Sequence, residues 1–133
     1  MRLDDLHPVF QNALTAWQML VGELGFTSDQ TKCMFDPGTG RVSIVAVIPR
    51  GDGTFAVGGA AVGVWRNDGA SGDEFAVAWE AAQDAFREAP AEERVAMVKS
   101  CTTTTRLTEL IEALNQVGII PPRLQPKKGA LLQ

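Results

Sequence analysis

The stretch from Val42 to Trp65 contains two apolar runs that are joined by the turn sequence PRGDG. A β-hairpin in a small domain normally buries one face and exposes the other, so that apolar and polar residues alternate. Here the first run is apolar on both sides of the predicted strand, and we therefore expect a partner to cover one of them. The two sets are Val42, Ile44, Ala46 and Ile48 on one side, with Val45 and Val47 on the other.

Residues 5–24 carry the i, i+3, i+4, i+7 period of an amphipathic helix. Pro8 is tolerated only in the first turn of such a helix. Gly25 predicts a left-handed residue that ends the helix, after which Phe26 folds back on Val21. The apolar positions of this helix are Leu6, Phe10, Ala13, Leu14, Trp17, Leu20, Val21 and Leu24.

Three strands are predicted at residues 31–36, 41–48 and 54–65, separated by short turns that contain glycine and proline. Strands at this spacing form an antiparallel meander. Glycines inside a strand are typical of a bulge, a bend or the close approach of another backbone. We expect the third strand to kink near Gly58 and Gly59.

The second half of the chain is predicted to be helical. Ser71 and Glu74 form a capping box ahead of a helix that carries Phe75, Trp79, Ala82 and Phe86 on one side. Pro90 is placed to begin a last helix that runs to about Val117, with a possible bend at the four threonines 102–105. The sequence therefore predicts an α+β fold in the order α-β-β-β-α-α, with residues 1–120 as one domain and 121–133 as an extended basic tail.

Three segments resemble small uncharacterised accessory proteins that are encoded by phages and prophages. They are the helix ending Leu24-Gly25-Phe26, the Phe75-xxx-Trp79 helix, and Glu93-Arg94 leading to the segment from Leu110 to Leu114. These positions are apolar or structural, so the resemblance implies no catalytic residue. It implies an accessory or counter-defence role.

The composition is that of one globular domain, with 133 residues, 45% apolar content and a formal net charge of −4. The two cysteines, Cys33 and Cys101, lie far apart in the sequence and lack metal-ligand spacing, which favours reduced thiols. The N-terminus has no long apolar segment, and no apolar run reaches transmembrane length. We expect a cytoplasmic protein with no membrane association.

Charge is distributed unevenly along the chain. Residues 68–93 contain eight carboxylates and one arginine, Arg87, whereas the tail is basic through Arg123, Lys127 and Lys128. Binding to phosphates requires clustered lysine and arginine, so direct contact with nucleic acid is not expected.

No pattern in the chain predicts catalysis, a cofactor or a metal site. His7 precedes Pro8 at a helix entrance, where a surface or capping role is typical, and no nucleophile or orienting partner is indicated. Cys101 lies on the apolar side of the last helix, which favours an inert buried thiol. Asp36 and Asp52 fit turns, where aspartate bonds to its own backbone.

Two surfaces are candidates for binding a partner. Asp73, Glu80, Asp84 and Glu88 lie within about 80° of arc on an ideal helix, and like charges at this spacing do not stabilise the helix. This acidic stripe is either a solvated helix face or a docking surface for a basic protein. Self-association is predicted through the apolar hairpin or the tail, with these candidate residues: Val45, Val47, Leu124, Leu131 and Leu132.

We therefore expect a non-enzymatic protein-interaction module that forms homo-oligomers, in the form of a phage or mobile-element accessory or inhibitor protein. One alternative is a dimer resembling secretion chaperones that binds an unfolded client along its sheet, although the second block of strands is missing. Another is an enzyme or small-ligand protein with a cavity between sheet and helices. One histidine, no tyrosine and no motif make this last alternative the least favoured.

Overall fold

The computed structural model describes residues 2–66, 68–101 and 106–125. Over these residues the chain forms three strands and four α-helices, with short 3-10 turns between some of them. The bounds are α1 Pro8–Gln18, β1 Thr31–Phe35, β2 Arg41–Pro49, β3 Phe55–Val64, α2 Gly72–Glu88, α3 Ala91–Cys101 and α4 Leu107–Gln116.

The strands form one antiparallel sheet in the order β1-β2-β3, and the helices pack on one of its sides. Helix α1 lies against β2 and β3, α2 against β1, and α4 against β3, while α3 packs on α1. The predicted α+β fold is therefore confirmed. The core between the two layers contains these fully buried apolar side chains: Leu3, Leu14, Leu20, Ile44, Val42, Leu110 and Leu114.

The N-terminal helix ends where its sequence predicts, but it begins at Pro8 rather than at residue 5, because His7 caps it. His7 is the N-cap, and its Nδ1 accepts a hydrogen bond of 3.0 Å from the N–H of Val9. Pro8 occupies the first helical position, where no N–H is required. A π-helical turn, Met19–Glu23, extends α1, and Gly25 ends it with a φ of 85°.

The irregularity in the third strand lies at a different place from the one expected. The register between β2 and β3 shifts between Val42 and Ser43, which leaves Val62 as the extra residue of a bulge. Gly59 instead marks a close backbone approach, because a Cβ built there would collide with the carbonyl oxygen of Ile44. The expected kink at Gly58 and Gly59 was therefore wrong, since these glycines fit closely packed neighbours rather than a bend.

The predicted last helix is divided into α3 and α4. Arg106, the N-cap of α4, has an extended backbone, which interrupts the predicted single helix. The four threonines at which a bend was expected lie outside the described residues.

The first residues of the predicted tail belong to the packed body of the protein. Pro121 is buried, and the N–H of Arg123 donates a 3.0 Å hydrogen bond to the carbonyl of Leu24. Residues 122–124 form a 3-10 turn. Residues 126–133, which include Leu131 and Leu132, lie outside the described part of the chain.

Among the helices that the structure describes, none combines the length and the hydropathy that crossing a membrane requires.

Candidate interaction surfaces

The side of the sheet opposite the helices carries mostly apolar residues, and we call it the open face. Pairing fixes its members, because residues opposite one another in an antiparallel pair point to the same side. Lys32 of β1, Val45 of β2 and Gly59 of β3 pair with one another and lie on the open face. The next set of paired residues, Cys33, Ile44 and Ala60, lies on the core side. The open face contains Lys32, Met34, Arg41, Ser43, Val45, Val47, Pro49, Phe55, Val57, Gly59, Ala61 and Val64.

Large apolar side chains on the open face are exposed to solvent. Met34 is 51% exposed, Phe55 56%, Val57 44% and Val64 52%. These four residues come from both outer strands and surround the central strand β2. Exposed apolar patches that extend over several elements are typical of protein interaction sites.

The candidates for self-association are distributed over different parts of the molecule. Val45 and Val47 both lie on the open face, where Val45 is only 7% exposed and Val47 is half-buried. Leu124 is exposed but lies in the 3-10 turn after α4, and not on the sheet. The structure therefore places the hairpin candidates on one surface and Leu124 on another.

The charged residues that pairing assigns to the open face are both basic. Lys32 lies on the edge strand β1, and Arg41 is the first residue of β2. Both side chains are exposed. The open face is therefore apolar with two positive charges, although the protein as a whole carries a formal charge of −4.

The acidic stripe lies on the solvent side of α2, as its helical spacing predicts. Asp73, Glu80, Asp84 and Glu88 are all exposed, and Asp84 accepts a 2.8 Å hydrogen bond from Arg87 Nη1. In addition, α2 carries a valine on this side. Val77 is 71% exposed and lies four residues after Asp73 and three before Glu80, so the stripe has an apolar centre.

Glu74, the remaining carboxylate of the first half of α2, serves the fold. Its N–H donates to Ser71 Oγ at 3.1 Å, and its carboxylate accepts from Arg66 Nη1 at 2.8 Å. The backbone N–H of Ser71, followed by Arg66, lowers the pKa of Glu74. Arg66 adopts a left-handed φ of 53° and also contacts Asp68, so this cluster fixes the loop between β3 and α2.

A groove of about 490 Å³ lies between strand β1 and helix α2, and we call it the edge groove. Phe35 and Phe75 stack in its floor with ring centroids 4.7 Å apart and planes 4° from parallel. The remaining lining residues are Cys33, Gly72, Ala76, Trp79, Glu80, Gln83 and Arg87.

The histidine, the cysteines and two of the aspartates, which could in principle take part in catalysis, have roles in the fold instead. His7 uses its Nδ1 to cap α1, as expected of a capping residue. Burial raises the pKa of the Cys33 thiol to about 12, which is the opposite of nucleophile activation. Cys101 is buried in α3. Asp36 and Asp52 accept hydrogen bonds from backbone N–H groups two residues later, at 2.9 Å and 3.0 Å, which confirms their turn roles.

Across residues 2–66, 68–101 and 106–125, no three or more histidine, cysteine, aspartate or glutamate side chains cluster in a way that could hold a metal ion.

The sequence of β2 alone indicates the open face, whose most exposed members were not among the predicted residues. Met34, Phe55, Val57 and Val64 lie on the flanking strands, and the same two-residue alternation that selected Val45 and Val47 would have found Val57. The edge groove was not predicted because its walls come from β1 and α2, and the periodicity of each element does not show how the two are placed relative to one another.

Comparison of the chain with protein-family models, with curated proteins and with solved structures finds no match.

Proposed function

We propose that this protein is a non-enzymatic interaction module that self-associates through the open face of its sheet. The observation that supports the proposal is the exposure of Met34, Phe55, Val57 and Val64 on the same side of the sheet. The described helices all pack on the opposite side, so folding of the described chain does not remove these side chains from water. If a second copy packs its own open face against this one, the exposed apolar side chains of both copies become buried.

The expected affinity is moderate. Full burial of a large apolar side chain contributes about 1.5–3 kcal/mol, so half-exposed side chains gain about 1 kcal/mol each when they are covered. Four from each copy supply several kcal/mol, which is opposed by lost translational and rotational freedom. We therefore expect an equilibrium between monomer and dimer at micromolar concentrations rather than an obligate dimer.

The charges of the open face distinguish a second copy from an acidic partner. Two copies place two positively charged faces, each with Lys32 and Arg41, on the same interface, and this like-charge repulsion is screened by salt. Self-association should therefore strengthen with increasing ionic strength. Binding of an acidic partner would weaken instead, because salt screens an attraction.

Sedimentation velocity over a range of protein concentrations tests the proposal. We expect the wild type to shift from monomer to dimer and Val57→Lys to remain monomeric, because a buried unpaired charge is costly. Val95→Lys is the matched control, since Val95 is an exposed valine on α3, outside the sheet. A wild type that stays monomeric throughout, or equal effects of the two substitutions, would contradict the proposal.

A second candidate function is the inhibitor role, in which the acidic stripe docks a basic partner. The observation that favours it is the exposure of Val77 among the four carboxylates, because an apolar centre with a charged rim is the usual arrangement of a binding surface. This role fits the accessory or counter-defence setting that the sequence resemblance implies.

Affinity capture from the native host, with mass spectrometry of the bound proteins, tests this second function. A variant with Glu80→Gln, Asp84→Asn and Glu88→Gln should lose a basic protein that the wild type captures, and the salt dependence of the remaining binding should be weaker. Recovery of the same proteins by both forms would identify the stripe as a solvated helix face.

A further inference from the structure

The outer edge of β1 presents backbone groups that the sheet does not use. The N–H of Asp36 donates a 2.9 Å hydrogen bond to the carbonyl of Arg41, which identifies this as a hydrogen-bonded position of the β1–β2 pair. In an antiparallel pair such positions alternate. The backbone groups of Lys32 and Met34 therefore point toward β2, and those of Cys33 and Phe35 point outward.

No other described strand pairs with this edge, because β1 is the first strand of the order β1-β2-β3. The outward N–H and C=O groups of Cys33 and Phe35 are two residues apart, about 7 Å along the strand. This spacing matches the backbone of another extended chain. An open strand edge is a template for adding a further strand.

Helix α2 provides the second wall beside this edge. It contributes lining residues from Gly72 to Arg87, so the edge groove follows the helix over nearly its whole length. The floor is formed by packed aromatic rings, with Phe35 stacked on Phe75. The ring centroid of Phe75 also lies 5.5 Å from that of Trp65 and 5.7 Å from that of Phe10, so further aromatic rings pack against the floor.

We propose that the edge groove binds an extended peptide segment of a partner protein by adding it as a fourth strand beside β1. Backbone hydrogen bonds to Cys33 and Phe35 supply the register, and the aromatic floor receives side chains from alternate positions of the peptide. An elongated groove with one hydrogen-bonding wall and an aromatic floor fits an extended chain better than a compact ligand, for which it offers no enclosing surface.

The lining residues also define which peptides should bind. Ala76 is the smallest exposed side chain on the helix wall and leaves room for an apolar side chain above the floor. Glu80, Gln83 and Arg87 form a polar rim with one negative and one positive charge. The peptide should therefore be apolar at every second position and polar between them.

This site differs from the open face, which is formed by the opposite side of the sheet. Peptide binding and self-association can consequently be lost separately, so failure of one proposal leaves the other unaffected.

Selection from a phage-displayed library of random dodecapeptides against the full chain tests the proposal. We expect enrichment of alternately apolar sequences whose binding weakens at least tenfold in Ala76→Arg, because the new side chain fills the groove. Ala81→Arg is the matched control, since Ala81 is an exposed alanine on the solvent side of the same helix, and it should bind like the wild type.

Hydrogen exchange measured by NMR then identifies the binding mode. Addition of a selected peptide should slow exchange of the Cys33 and Phe35 amides, whereas those of Lys32 and Met34, which already bond to β2, should change little. A peptide that is N-methylated along one edge should lose this effect. The proposal is overturned by any of three results: no enrichment, equal loss of binding in both arginine variants, or protection of the two amides that appears with rising protein concentration and no peptide. The last result would identify a second copy as the occupant.

Discussion

The two sides of the sheet are built from the same strands and are both apolar, yet only one of them is accounted for by the fold. Val42, Ile44 and Ala46 are completely buried beneath the helices. On the other side Phe55 and Val64 remain about half exposed. Exposed apolar side chains on a sheet contribute little to folding and increase the risk of aggregation.

This difference distinguishes the apolar residues that the fold requires from those that are available for binding. The sheet would fold equally well with polar residues at the solvent-exposed positions, as most small antiparallel sheets do. The fold of the described residues therefore does not require the apolar residues on the open face, and these are the residues that the proposed association would use.

The largest effect is expected from removing side-chain volume on the core side. Ile44→Ala should lower the free energy of unfolding by about 2–5 kcal/mol, because it leaves a cavity that its neighbours cannot fill. Val57→Ala, on the open face, should lower it by less than about 1 kcal/mol in the monomer. Urea denaturation of both variants at low protein concentration measures the difference. Equal losses would show that the two sides are packed alike.

An intermediate effect is expected at Gly59 of β3, where the backbones of β3 and β2 lie too close together for a Cβ atom. Gly59→Ala should lower the free energy of unfolding by about 1–3 kcal/mol, because its Cβ meets the carbonyl of Ile44 and the strands must separate. Gly72→Ala is the control, since a Cβ there meets no atom within 4 Å. A Gly59→Ala protein as stable as the wild type in thermal and urea unfolding would remove the argument for close approach.

The smallest effect concerns pH and compares two kinds of carboxylate on α2. The pKa of Glu74 is lowered by the Ser71 N–H and by Arg66, so its ionised form stabilises the folded state. This contribution is present at neutral pH and is lost as the pH falls through the lowered pKa. The stability difference between the wild type and Glu74→Gln should therefore shrink toward acid.

Glu80→Gln controls for the loss of one charge from the solvent side of the same helix. Urea midpoints measured from neutral to acidic pH provide the comparison. A difference between the wild type and Glu74→Gln that stays constant over this range would contradict the assigned role of the cap.

Local signals in the sequence predicted the strands, most of the helices and several of their ends, because caps and periodicities depend on residues near one another in the chain. Ser71 with Glu74 and Gly25 after α1 are examples, and both occur in the structure as predicted. The bulge at Val62 was not predicted, since it depends on how β3 aligns with β2.

The candidate sites divide in the same way. The apolar side of β2 was visible in the sequence through alternation at Val45 and Val47. The edge groove requires knowledge that α2 lies beside β1, and this follows from tertiary packing around Phe35 and Phe75. A contact between two segments that are distant in the sequence does not change the periodicity of either segment, so it cannot be predicted from that periodicity.

The most direct test replaces the exposed apolar residues of the open face together, with Met34→Gln, Phe55→Thr, Val57→Thr and Val64→Thr. Threonine retains a high preference for strands, so the sheet should form. Unfolding free energy and sedimentation mass are measured on the same samples. We predict a folded monomer whose stability lies within about 1 kcal/mol of that of the wild-type monomer, while the wild type dimerises as its concentration rises. An unfolded variant, or a wild type that never associates, would contradict the assignment of the open face to binding.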